Sequence, residues 1–293
     1  MSRFSKLLLK VFAHLPLAVV QAIGGFLGML SGVFPNRRLQ TTKVNIALCF
    51  PELPHETQKK LVRRSLIESG KGALESSTLW LKESHYTLGL VKKTSGEEYL
   101  ESAHKLGRGV ILALPHLGMW EIIGLYCSSR YPMTSLFRPP PLAAMDDVMR
   151  AGRQRLGARL VPTDKSGVRA LYTALEKGEL VAILPDQEPG AGSGLFAPFF
   201  GIQANTMVLL SRLAIKTGAA VLFVYAERLP GGKGYHIHFS PASEHIHDPD
   251  LNTSVRYLNQ GIEDCVRALP EQYLWSYKRF RNRPEGEAPI YKT

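Results

Sequence analysis

Apolar residues along the chain fall into short continuous runs separated by amphipathic stretches, a rhythm that predicts buried strands alternating with helices. The runs at 109–115 (GVILALP) and 179–185 (ELVAILP) are almost wholly apolar and end on proline, as expected of strands covered on both faces. Residues 134–137, 219–228 and 235–240 read as further strands, the last two as a hairpin around the Pro-Gly-Gly turn at 230–232. Helical spacing fills 119–127, 142–155, 206–216 and 251–268. Ser166 is expected to cap a further helix that Gly178 stops, and Gly218 to end the helix of 206–216. Residues 55–82 read as one amphipathic helix, with Leu61, Leu66 and Leu74 set among lysines and arginines. The pattern implies an α/β fold with a mixed, largely parallel central sheet flanked by helices.

The N-terminus departs from this rhythm. From Leu15 to Phe34 there is no formal charge. About 20 apolar residues are needed to span a bilayer as a helix. Gln21 and several glycines weaken the stretch, which places it between a span and a segment lying in the interface. Pro35 stops any helix here. The start is charged as in a cleaved leader, but the apolar stretch is long and no A-x-A site follows, so an uncleaved membrane-anchoring helix is expected over 1–36, with an α/β domain over 37–293. Gly24, Gly28 and Gly32 recur every four residues on one helical face, a spacing that lets a second helix approach closely or marks a glycine-rich anchor with no partner.

Charge sharpens this picture. The 293 residues carry a formal net charge of +11. In residues 1–50 the bases Arg3, Lys6, Lys10, Arg37, Arg38 and Lys43 flank the apolar stretch and no acid occurs. Such a distribution favours an anionic membrane surface. Neither a zinc-finger spacing nor an aromatic-basic RNA motif is present, so nucleic acid is not the expected partner. The three cysteines, Cys49, Cys127 and Cys265, lie far apart and fit a reducing compartment.

The sharpest chemical feature is PHLGMWE, at the end of the 109–115 strand. Ligands gather outside the carboxyl ends of strands in open α/β sheets. His116 stands there, and Glu121 follows five residues later. On an ideal helix that spacing is a rotation of about 500°. The two side chains therefore meet only if His116 lies in the turn and Glu121 in the first turns of the helix. A carboxylate on the imidazole would fix its tautomer and stabilise the imidazolium, leaving His116 able to act as general base toward a hydroxyl. The plainer reading of the spacing alone is a capping histidine beside a surface glutamate.

H-x4-E after a buried strand resembles the H-x4-D signature of the glycerolipid acyltransferase superfamily. More closely, the chain resembles the late acyltransferases of lipid A biosynthesis, the lauroyl/myristoyl transferase family. The likeness is carried by VNIALCFPEL (44–53), PHLGMWE (115–121), FRPP (137–140), GRQR (152–155), LPDQEPG (184–190), APFFG (197–201) and EQYLWSYKRFRNRPEG (271–286), in order over nearly the whole chain. The resemblance implies an acyl-acyl carrier protein donor and a hydroxyl of a lipid A precursor as acceptor, with no cofactor. His116 would take the hydroxyl proton and Glu121 would orient His116. It further implies a bacterial inner-membrane location, with the catalytic domain on the cytoplasmic side.

Arg138 and Arg153 are candidates for oxyanion or phosphate contacts, with Arg155 in reserve, because guanidinium forks match those groups and stay charged. Arg138 follows a predicted strand and precedes three prolines, which stiffens its loop. Asp186 and Gln187 close the 179–185 strand, where other members of the superfamily hold a phosphate-contacting F-P-E-G. Asp186 would not bind phosphate directly, but it suits an arginine partner, a sugar hydroxyl or a plain turn. The glycine loop 189–201 offers backbone amides for a phosphate, and Phe196, Phe199 and Phe200 could line an acyl groove, touch lipid or pack in the core. His236 and His238 share a strand face, but His-x-His on a hairpin is more often surface and no metal site is expected. Trp275 and Arg279 read as structural or membrane-interface residues. Two alternatives stand beside the acyl-carrier reading: an acyl-CoA-dependent lysophospholipid or glycolipid acyltransferase, and a catalytically silent membrane-binding scaffold. A serine hydrolase is disfavoured because no G-x-S-x-G occurs.

Overall fold

The computed structural model describes residues 9, 11–140, 143–190 and 192–291. The bases Arg3, Lys6 and Lys10, and the expected helix start at 142, lie outside the described residues. A seven-stranded sheet has the order β1-β9-β8-β2-β5-β3-β4. Its strands are β1 (Val91–Ser95), β2 (Val110–Ala113), β3 (Met133–Phe137), β4 (Arg159–Pro162), β5 (Leu180–Ile183), β8 (Ala220–Arg228) and β9 (Tyr235–Pro241). From β8 through β2, β5 and β3 to β4 every pairing is parallel. β9 runs antiparallel to β8 and parallel to β1. Every residue of β2 and β5 is buried, which is why both read as unbroken apolar runs.

In chain order the main helices are α1 (Leu17–Ser31), α2 (Arg37–Cys49), α3 (His55–Leu81), α4 (Ser84–Gly89), α5 (Glu97–Lys105), α6 (Trp120–Ser128), α7 (Ala143–Gln154), α8 (Lys165–Glu176), α9 (Leu209–Thr217) and α10 (Leu251–Ala268). Two hydrophobic clusters form the main core. One includes Ile111, Val181, Phe199, Ile262 and Trp275, and the other Leu112, Ile122, Leu180 and Tyr235. Neighbouring residues of one strand, such as Ile111 and Leu112, belong to different clusters because successive side chains leave opposite faces of the sheet.

Three local expectations change. The cap of α8 is Asp164, whose carboxylate accepts from the Ser166 and Gly167 amides, so Ser166 is already inside the helix. Thr206 belongs to a strand, β7 (Ile202–Met207), and the helix after it starts only at Leu209. The glycine loop is largely that strand's partner, β6 (Gly194–Phe199), joined to it by a two-residue turn. Phe200 and Gly201 in the turn have φ of 51° and 74°, the paired left-handed backbone of the hairpin turn that matches strand twist. Phe200 tolerates this conformation because its amide donates to Glu263 Oε1 at 2.6 Å and its ring packs edge-on against Phe50 and Phe199. Phe199 and Phe200 are thus core residues, and only Phe196 is exposed.

The apolar N-terminal stretch forms a helix of 15 residues, shorter than a bilayer needs. No helix among the described residues is long and apolar enough to cross a membrane. The partner invited by the repeated glycines is α3 of the same chain. A Cβ on Gly24 would stand 2.5 Å from the Gly70 carbonyl oxygen, and one on Gly28 would stand 2.2 Å from that of Leu66. Gln21 donates to Glu75 Oε2 at 2.8 Å, and Glu75 is also bound by the buried Arg228 of β8. Gln21, a polar break in the apolar stretch, is therefore a tether to the domain. The opposite face of the stretch leaves Phe26, Leu27, Val33 and Phe34 exposed.

The seam between α1 and α3 yields a first prediction. In Gly70→Val the new Cβ would sit 2.1 Å from the Gly24 carbonyl oxygen. Overpacking of this kind costs about 1–3 kcal/mol, read as a lower thermal midpoint of the purified protein. Gly89→Ala, where a Cβ meets nothing within 4 Å, serves as the control and leaves the midpoint close to wild type.

Candidate active site

β2 and β5 are parallel neighbours in register, Ala113 facing Ile183. Each continues with Leu-Pro, through Leu114-Pro115 and Leu184-Pro185, and the next residue is His116 in one and Asp186 in the other. The register thus carries these two side by side at the carboxyl end of the sheet. His116 Nδ1 lies 2.7 Å from Asp186 Oδ1, and the His116 amide donates to Asp186 Oδ2 at 2.8 Å. One carboxylate thereby fixes both the backbone and the ring of the histidine. With Nδ1–H donated to Asp186, Nε2 keeps its lone pair, and Gln187 Nε2 stands 3.2 Å from it. The ring of Trp120 packs edge-on against the imidazole at 4.9 Å.

The turn after His116 is braced from behind. Gly118 has a φ of 62°, and a Cβ there would collide with the Ala226 carbonyl at 1.9 Å, so only glycine fits. The Met119 amide donates to that carbonyl at 2.8 Å, and the Leu274 amide donates to the His116 carbonyl at 3.0 Å. The C-terminal segment is therefore part of the site's frame. Trp275 and Arg279 are buried within it, Arg279 donating to Asn205 O and Thr206 Oγ1 at 2.7 Å each. Their role is internal packing and not contact with a membrane interface.

Glu121 occupies the first turn of α6, as its spacing required, but its hydrogen bonds lead away from the imidazole. Arg153, at the end of α7, grips it with a two-pronged contact, Nε to Oε2 at 2.9 Å and Nη2 to Oε1. Trp80 Nε1 donates to Oε2 at 3.1 Å. The carboxylate hydrogen-bonded to His116 is that of Asp186. Of the other sequence candidates, Gln187 joins the histidine and Arg153 joins Glu121. Arg138 is exposed just beyond β3. Arg155 holds the Lys82 carbonyl and donates to Thr87 Oγ1 at 2.7 Å, a structural tie between α3 and α4. The sequence signal for the His116–Asp186 pairing was the shared Leu-Pro ending of the two buried strands.

Burial pushes the Glu121 carboxyl up, but the charge and hydrogen bonds of Arg153, the Trp80 N–H and the charge of His116 outweigh it and leave the group below its ordinary value. Asp186 follows the same logic: burial raises it, while His116, through charge and two hydrogen bonds, brings it below its ordinary value. Both carboxylates are therefore ionised at neutral pH. The three cysteines are free and buried, and burial pushes the Cys127 thiol up to about 12, which leaves it unreactive. A small cavity lined by Trp120, Glu121, Arg153 and Leu184 opens beside the site. A second cavity, of about 690 Å³, lies between α1, α2 and α3 and shares no lining residue with the His116 cluster.

The family model described as bacterial lipid A biosynthesis acyltransferase matches residues 4–282. The chain is 31% identical over 288 residues to a lipid A biosynthesis palmitoleoyltransferase of Escherichia coli (strain K12), covering 96% of this chain and 91% of that protein. It is 29% identical over 279 residues to the lipid A biosynthesis lauroyltransferase of the same organism, covering 95% and 90%. A lipid A biosynthesis myristoyltransferase from that organism is 25% identical over 277 residues, covering 94% and 83%.

Two measurements test the electrostatics. Replacing Arg153 by Met leaves Glu121 buried without its cation, and such a loss costs up to roughly 3 kcal/mol; adding Glu121→Gln should recover part of it in thermal unfolding. Because the folded Glu121 and Asp186 carboxyls lie below their unfolded values, their stabilisation is complete above the unfolded value and lost as pH falls through the folded one. Wild type should therefore lose stability below about pH 4 more steeply than Glu121→Gln or Asp186→Asn.

Proposed function

Because the chain belongs to the bacterial lipid A biosynthesis acyltransferase family, and is thus an acyltransferase, we propose that it moves a fatty acyl chain from acyl-acyl carrier protein to a hydroxyl of a lipid A precursor, with His116 as general base. The observation that carries the reading is an imidazole at the carboxyl end of a central strand, held by a buried carboxylate on Nδ1 and left with a lone pair on Nε2. His116 Nε2 takes the hydroxyl proton as the oxygen attacks the thioester carbonyl. The C–S bond then breaks, and the departing thiolate takes the proton from the imidazolium, giving an ester and the carrier thiol. Asp186 orients the ring and stabilises its cation. Glu121 adds negative charge nearby but is itself matched by Arg153. Gln187 and Arg138 would donate to the oxyanion or to polar groups of the acceptor.

The substrates are amphiphiles, and the surface of the first helices suits a lipid boundary. Phe26, Leu27, Val33 and Phe34 face outward, and Arg37 and Arg38 follow directly. The 690 Å³ cavity beside them has apolar walls of Leu39, Val62 and Leu66, with Lys43, Lys59 and Arg63 exposed among its lining residues. α1 then lies in the interface, with its glycine face on α3 and its apolar face in lipid, at the cytoplasmic side of the bacterial inner membrane.

The reading is tested by acyl transfer with purified protein in mixed micelles. His116→Ala should lose on the order of 10²–10⁴ in rate with an unchanged circular dichroism spectrum. Asp186→Asn should lose rate on a similar scale, and more than Glu121→Gln does. Normal turnover by His116→Ala would exclude the mechanism. Faster transfer from acyl-CoA than from acyl-acyl carrier protein would replace the donor assignment. An Asp186→Asn enzyme as active as wild type, beside an inactive Glu121→Gln, would make Glu121 the orienting group.

A further inference from the structure

At the antiparallel pair of β8 and β9, on the far side of β8 from β2, three side chains converge that the acyl-transfer chemistry does not use. Glu227 of β8 faces His236 of β9 across the ladder, and His238 follows on the same face of β9. His238 Nε2 lies 3.0 Å from Glu227 Oε2, and His236 Nδ1 lies 3.7 Å from the same oxygen. The two imidazole rings are 3.8 Å apart. One ligand atom from each residue falls within 4.8 Å of the others.

We infer that Glu227, His236 and His238 form a binding site for a zinc-class divalent metal ion, with one coordination position left open. A tetrahedral ion with bonds of about 2.0–2.1 Å spaces its ligand atoms roughly 3.3 Å apart. The separations of 3.0 and 3.7 Å from the Glu227 oxygen bracket that spacing, and all three ligand atoms lie within 4.8 Å of one another. The ring orientations are fixed in advance. Ser95 Oγ stands 2.8 Å from His236 Nε2, and a hydrogen bond donated to it by that nitrogen would leave Nδ1 with its lone pair toward the cluster. The second ring nitrogen of a metal-binding histidine is commonly held this way. The His238 ring stacks on Tyr225 at 4.6 Å, which restricts its rotation.

Lys93, which faces His236 from β1, repels a metal cation, and the Glu227 carboxylate is the group that offsets it. Two neutral imidazoles and one carboxylate suit zinc and similar ions better than calcium or magnesium, which take oxygen. The site would clip β9 to β8 one residue beyond Ala226, whose carbonyl braces the turn behind His116.

The test uses the full-length protein without a polyhistidine tag, stripped with a chelator, in detergent at neutral pH. Isothermal titration with zinc chloride should show one saturable site per chain. Substitution by cobalt(II) should give the visible absorption of a four-coordinate centre. His236→Ala and His238→Ala should each weaken binding at least about tenfold, equivalent to about 1.4 kcal/mol, whereas His245→Ala should not. Zinc should raise the thermal midpoint of wild type and leave that of the His236→Ala/His238→Ala double variant unmoved. Zinc binding that is weaker than about 100 μM in wild type, or equally tight in both single variants, would overturn the proposal. Neither outcome depends on acyl transfer, so the site fails or stands separately from the proposed reaction.

Discussion

The parallel register of β2 and β5 is the constraint on which the candidate site depends. It aligns Ala113 with Ile183, and the chain then makes the same Leu-Pro exit twice. A one-residue slip would turn every side chain of a strand to the other face, and with both faces buried it would also misplace the core. The same apolar packing that fixes the register therefore fixes the 2.7 Å contact between His116 and Asp186. Only Leu-Pro separates each strand end from its polar residue, and the C-terminal segment closes over the His116 turn through Leu274 and Gln272.

A second network links that turn to the N-terminal helix. Arg228, at the end of β8, is buried and held by Glu75 and Glu68 of α3, and its own amide donates to Gln272. Glu75 also accepts from Gln21 of α1 and from Tyr235 of β9. Burying two carboxylates against one guanidinium is costly unless the remaining lone pairs are used. Here they are: Gln21 and Tyr235 occupy Glu75, and Lys71 pairs with Glu68. This network and the glycine seam of α1 and α3 make the N-terminal helix, with its exposed apolar face, a fixed part of the enzyme, adjoining the frame of the His116 turn.

Much of this was legible in the sequence. The buried strands showed themselves as continuous apolar runs, and their carboxyl ends marked His116, Asp186 and Gln187. The glycine spacing left a close helix contact and an unpartnered anchor both open, and did not show that α3 was the partner. The β6–β7 hairpin was hidden because its turn places Phe200, an unusual residue for positive φ, where a glycine or asparagine would have given the signal. α2 and β4 were missed for a different reason: one begins with two arginines and the other is partly exposed, so neither has a strong apolar period. Glu227 could not be joined to His236 and His238 without knowing the cross-strand register of β8 and β9.

The roles of the two carboxylates could not be separated by spacing, and electrostatics explains why they differ. Glu121 is close enough to His116 for their charges to interact, and its first-turn position on α6 is the one the motif requires. Yet its oxygens are consumed by Arg153 and Trp80, so its charge is largely matched before the imidazole is counted. Beyond His116, Asp186 meets the neutral Tyr273 hydroxyl, and Arg279 lies near enough to favour its ionised form. The imidazolium that forms when a hydroxyl is activated therefore has the Asp186 carboxylate as its direct counter-charge. Arg153 thus serves the proposed reaction by holding Glu121 back from His116, leaving one carboxylate to support one proton.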